Sequence, residues 1–155
     1  MYESLRGDVS GQAPDPQAHL ALASRHAARA RKVQEIVKES GLKTAKDHFE
    51  AAVILVETSD PASLLLAQEL ALKAAEMGQS LGFRVAAEAI DKQLVVRGQP
   101  QRYGTQYEWV AVLQAWRLYP VESGTSDAER KAMGVPPLVE LYAAEDRLNP
   151  TSKPR

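Results

Sequence analysis

Apolar positions recur at steps of three and four from Gln17 to Ser40, through Leu20, Ala23, Ala27, Ala30, Val33 and Val37, which predicts one long amphipathic helix closed by Gly41. Thr44 followed by Asp47 reads as a capped start for a second helix running to about Glu57. Its second half, AAVILV, is apolar on every face, as expected of a helix surrounded by others. Ser59-Asp60-Pro61 then offers a cap and a first-turn proline for a third helix, through Leu64–Leu66 and Leu70–Leu72 to Met77. A fourth begins near Ser80, carries Phe83, Ala86, Ala87, Ile90 and Leu94 on one face, and stops at Gly98 before Pro100.

Beyond Gly98 the period changes. Tyr107, Trp109, Ala111 and Leu113 alternate with their neighbours, and Trp116, Leu118 and Tyr119 follow, which reads as a small β-hairpin. A helix over the same stretch is the rival, because the turn lacks the Gly or Asn of two-residue hairpins. Ser126-Asp127-Ala128-Glu129 is a capping-box pattern for a short helix ending at Gly134, and Pro136-Pro137 opens a last helix through Leu138, Leu141 and Tyr142 to Leu148. The expected fold is therefore mainly α, a compact bundle of five to six helices with a hairpin after the fourth. It forms a single domain over residues 17–148, flanked by a loose N-terminus (1–16) and tail (149–155) rich in Gly, Pro and polar residues.

Composition narrows the function classes. A chain of 155 residues holds one domain with a core large enough to need no staple, and Cys 0 excludes disulfides, thiolate catalysis and cysteine-bound metal. No apolar run approaches the 18 or so residues of a membrane span, and the start has no secretory pattern, so the expected setting is the cytoplasm. Net charge is −1, giving no global field toward nucleic acid. Between Gln17 and Lys46, however, seven Lys or Arg stand against two Glu, which makes the first helix locally basic, most simply as a solvated face.

Phosphate loops and G-x-G-x-x-G are missing, so no cofactor is implied. His19 and His26 share a helical face, seven residues apart, but lack the usual spacing of a helical metal pair. Three polar residues sit in apolar surroundings. Glu57 ends the buried second helix, Gln68 continues the row Leu64–Ala71–Ala75, and Asp91 lies one turn after Ala87. A buried carboxylate needs partners or a shifted pKa, so Glu57 and Asp91 are the candidate catalytic acids or bases, with Lys92 or Lys73 as an available counter-ion for Asp91. The run GQPQRYGTQ packs Gln99, Gln101, Arg102, Tyr103, Thr105 and Gln106 into nine residues. Amides read a polar ligand with donor and acceptor together, and an arginine clamps a carboxylate or phosphate, so Gln101, Arg102, Tyr103, Thr105, Gln106 and Gln68 are the candidate substrate-binding residues. The same side chains can equally serve the loop's own backbone.

That loop also carries a resemblance. From Asp47 to Asn149 the chain resembles an uncharacterised bacterial family, a domain of unknown function with a Q-x-Y-G-T-Q loop, matched here by Gln101, Tyr103, Gly104, Thr105 and Gln106. The resemblance implies a helical body with a polar site built from several helices and the loop. It also implies that Asp91 and Lys92 stand where relatives carry an Asp-Arg pair, keeping the charge but not the planar fork.

Two functional expectations follow. In the first, a small polar ligand or substrate is held between the second, third and fourth helices by either a binder or a cofactor-independent acid–base enzyme. In the second, the chain is an interaction module, meeting a protein partner or forming a homodimer through the basic first helix or through Tyr107, Trp109, Trp116 and Tyr119. Nucleic acid and membrane are not expected partners.

Overall fold

The computed structural model describes residues 13–149. Six helices and one hairpin follow in chain order: α1 Pro16–Glu39, α2 Ala45–Val56, α3 Pro61–Glu76, α4 Leu81–Val96, β1 Tyr107–Val110, β2 Ala115–Leu118, α5 Asp127–Ala132 and α6 Leu138–Leu148. The fold is mainly helical with a two-stranded antiparallel hairpin after the fourth helix, and the rival helical reading of that segment is excluded. Among the described residues no helix is long and apolar enough to cross a membrane.

Local chemistry sets the helix ends. Asp15, Thr44, Asp60 and Ser126 each cap a helix by accepting a backbone N–H, and at Thr44 and Ser126 the box is completed by the returning carboxylates of Asp47 and Glu129. Ser80 precedes α4 without a side-chain cap bond.

The main core joins α2, α3 and α4 through Ala52, Leu55, Val56, Leu64, Ala67, Ala71, Val85, Ala86 and Ala89. The crossing of α3 and α4 is close because Gly82 has no side chain: a Cβ there would run into the carbonyl oxygen of Ala71 and stand 2.9 Å from the amide nitrogen of Ala75. A second core, of Ala87, Tyr103, Leu118, Val135 and Leu141, binds the hairpin and α6 to the other side of α4.

Two parts of the expected core are placed differently. Only Ala30 and Val33 of α1 are buried, while Leu20 is 69% exposed, so the N-terminal half of the stripe faces solvent. Phe83 is likewise partly exposed, because α4 turns its Val85–Ala86–Ala89 surface to the bundle. At the chain's far end Asn149, read as the first residue of the tail, is fixed: its Oδ1 accepts the Trp116 N–H at 2.7 Å and its Nδ2 donates to the Trp116 carbonyl at 2.7 Å. The other expectations for the tail, and those for residues 1–12, lie outside the described residues.

Candidate functional site

The loop between α4 and β1 is built around one carboxylate. Asp91 is fully buried, and its Oδ1 accepts the backbone N–H groups of Arg102 and Tyr103, both at 2.8 Å. Its Oδ2 accepts those of Gly104 at 3.0 Å and Thr105 at 2.9 Å, and the Thr105 hydroxyl at 2.8 Å. Five donors on two oxygens leave little capacity for a ligand. The sequence-level partners are not used: Lys92 donates instead to the Val56 carbonyl at 2.6 Å, and Lys73 pairs with Glu76.

The loop's carbonyl side is held by a buried cation. Arg130 is 2% exposed, and its Nε donates to the Tyr103 carbonyl at 3.1 Å while an Nη reaches the Thr125 carbonyl at 2.8 Å and Asp127 at 3.1 Å. Gly104 adopts φ +95°, and a Cβ there would stand 2.6 Å from Leu141 Cδ1, so the turn that presents these N–H groups needs glycine.

Gln101 has a similar internal role. Fully buried, it donates from Nε2 to the carbonyls of Gln106 and Tyr119 at 2.9 and 2.8 Å, and its Oε1 accepts the Gln106 N–H at 2.8 Å. One amide thus closes the hairpin where the two chains part. Thr105 and Tyr103 are both buried, and Gln106 donates to the Thr105 hydroxyl at 2.9 Å. Burial raises the Tyr103 phenol above its ordinary value of 10.0, partly offset by the Arg102 guanidinium 5.3 Å from the ring centroid. Of the candidate loop residues, Arg102 is the most exposed, within 3.4 Å of Glu129 and 3.9 Å of Glu122.

The remaining candidates lie elsewhere. Gln68 on α3 accepts from Gln93 of α4 at 2.9 Å. Glu57 stands at the end of α2, its side chain 28% exposed, with an oxygen 3.9 Å from His26 Nδ1; that same nitrogen is 3.2 Å from the Glu57 carbonyl oxygen. Two open surface depressions, one against α5 and the Gly134–Pro137 turn and one between α1 and α2, take in none of these residues.

The residue that sequence reading passed over is Glu88. It is 1% exposed, and among the described residues neither carboxyl oxygen has a hydrogen-bond partner. Arg84 and Lys92 lie one turn away on α4 and Asp91 is on the same helix, and the charge of Glu57, which caps the end of α2, also acts on it. Its pKa is pushed from 4.5 up to about 7, chiefly by burial, with the positive charges of Lys92 and Arg84 opposing the rise and the carboxylates of Glu57 and Asp91 adding to it. The signal was present as a lone charge inside VAAEAI.

The structure therefore brings His26, Glu57 and Lys92 together at the end of α2, with Glu88 close enough for the charges of Glu57 and Lys92 to act on it, while Gln68 bonds Gln93 and the loop residues bond Asp91 and Gln101. A carboxyl pushed up toward neutrality can both give and take a proton at physiological pH, and the Glu57 side chain whose charge acts on it is partly exposed. Among the described residues no group of three or more His, Asp or Glu is arranged to hold a metal ion. No protein-family model, curated protein or solved structure matches the chain.

Proposed function

We propose that this chain is a small-molecule-binding helical protein with cofactor-independent acid–base chemistry at the junction of α1, α2 and α4. The observation that carries the reading is Glu88, a buried carboxyl without a hydrogen-bond partner among the described residues, on which the charge of the partly exposed Glu57 acts. Native proteins seldom leave a buried polar group unsatisfied, and a buried carboxyl with a raised pKa beside a partly exposed one is a candidate acid–base pair. In this reading Glu57 meets a polar organic ligand and exchanges a proton with it, His26 orients the Glu57 carboxylate, and Lys92 and Glu88 set the charge behind it. Asp91, whose oxygens already accept five hydrogen bonds, positions the loop rather than touching the ligand.

The likeness of GQPQRYGTQ to the bacterial Q-x-Y-G-T-Q family belongs to the same proposal, with the shared loop as the scaffold and the cytoplasm as the setting. Native mass spectrometry of freshly purified protein tests it. The expected result is a retained small organic mass on the wild type that is lost from Glu57→Gln at unchanged circular dichroism. Equal retention by the variant, or a bare wild-type chain, would count against the site.

A further inference from the structure

The hairpin has one closed edge and one open edge. Because Trp116 and Leu118 send their N–H groups outward, to Asn149 and to Glu145, the ladder bonds of this antiparallel pair lie at Glu108–Arg117 and Val110–Ala115. The outer edge of β2 is thereby blunted by side chains of the α6 end. By the same alternation the N–H and C=O groups of Tyr107 and Trp109 point away from β2, and no hydrogen bond from another described residue reaches them. β1 carries no lysine, proline or bulge, and its guards against pairing are its short length and the single charge of Glu108. At its end the turn holds Val112 at 91% exposure and Leu113 at 56%.

We propose that β1 pairs antiparallel with β1 of a second copy of this chain, Trp109 opposite Trp109, to make a four-stranded sheet across a two-fold axis. A strand pairing antiparallel with itself is self-complementary, and a net charge of −1 gives two copies little long-range repulsion. Charge also selects the register. Centring the axis on Glu108 would set two carboxylates directly opposite each other, which is unfavourable, whereas centring it on Trp109 sets Glu108 against Val110 of the partner.

In that register the two Trp109 residues exchange both free backbone bonds. The T-shaped Trp109–Trp116 pair, with ring centroids 5.8 Å apart, becomes the outer part of a row of four indoles on one face. The turn carrying Val112 comes to lie beside the partner's Tyr107. The two α6 helices, each over its own β2, stand about 14 Å apart at three strand spacings, wider than the 8–10 Å of packed helices, so they do not collide. An edge of four residues makes a small interface, so the association is weak and concentration-dependent. This inference is independent of the acid–base reading.

The absence of native cysteine allows a direct test. Directly opposed residues of a bonded antiparallel pair have Cα atoms about 5.5 Å apart, within disulfide reach. Under mild oxidation Trp109→Cys is expected to form a covalent dimer several-fold faster than Glu108→Cys. Wild-type hydrogen exchange supplies the second reading, which survives loss of the indole. The Tyr107 and Trp109 amides should become several-fold more protected as protein concentration rises, in step with the sedimentation mass. Exchange at these amides that is independent of concentration, a chain monomeric at all concentrations, or faster cross-linking through position 108 would overturn the proposal.

Discussion

Replacing Asp91 with Asn changes one oxygen for an NH2 group at nearly constant shape and isolates the carboxylate's structural role. The gentlest placement keeps an oxygen where Gly104, Thr105 N–H and the Thr105 hydroxyl converge, leaving the new amide to face the N–H groups of Arg102 and Tyr103 at 2.8 Å. Two buried donors then lose their acceptor and confront other donors. At about 1–3 kcal/mol for each orphaned group, the expected loss is about 3–4 kcal/mol, a large share of an ordinary stability of about 5–15 kcal/mol. Urea unfolding followed by circular dichroism is the assay, and with a slope of about 1–3 kcal/mol per molar the midpoint should fall by about 2 M. Amide exchange at Arg102–Thr105 should accelerate more than exchange in α2 and α3. The control is Arg102→Ala, whose exposed ion pair with Glu129 should be worth under about 1 kcal/mol. A midpoint for Asp91→Asn within about half a molar of wild type would refute the claim that this carboxylate organises the loop.

Three further expectations rest on other parts of the molecule. Gly82→Ala should destabilise by about 3 kcal/mol or more, because the added methyl meets backbone atoms of Ala71 and Ala75 that cannot rotate away; a thermal melt within a few degrees of wild type would contradict this. Gln114 sits at φ +46° in the hairpin turn, so Gln114→Gly should raise stability by about 0.5–1 kcal/mol in chemical denaturation, and a loss would show that its side chain has another role. Glu88, with its folded pKa raised from 4.5 to about 7, binds more protons folded than unfolded between those values, so stability falls as pH rises through that window, by about 3 kcal/mol in all. Glu88→Gln should remove this component of the pH slope in urea titrations at pH 5 and pH 8; an unchanged slope would place its origin in another group.

The sequence alone determined the helical architecture, because the signals that start and stop helices act over a few residues. Thr44 with Asp47, Asp60 with Pro61, and Ser126 with Glu129 satisfy first-turn N–H groups that no tertiary contact would reach, and Gly41 adopts the φ of +70° that a helix stop asks for. The hairpin was legible from its alternation but contested, since its four-residue turn uses Gln114 where a shorter turn would show glycine or asparagine.

Burial and partnership were decided only in three dimensions. Asp91 meets its donors 11 to 14 residues further along, Arg130 reaches back 27 residues to the Tyr103 carbonyl, and His26 finds Glu57 across 31. Whether the amides of GQPQRYGTQ face a ligand or their own backbone is the same composition in either case; packing of Tyr103 against Leu118 and Leu141 turned them inward. The isolation of Glu88 likewise comes from the packing of α2 and α3 around α4 and of Lys92 onto the Val56 carbonyl. Desolvation depends on the sum of everything that displaces water from a group, and that sum exists only after the helices have packed.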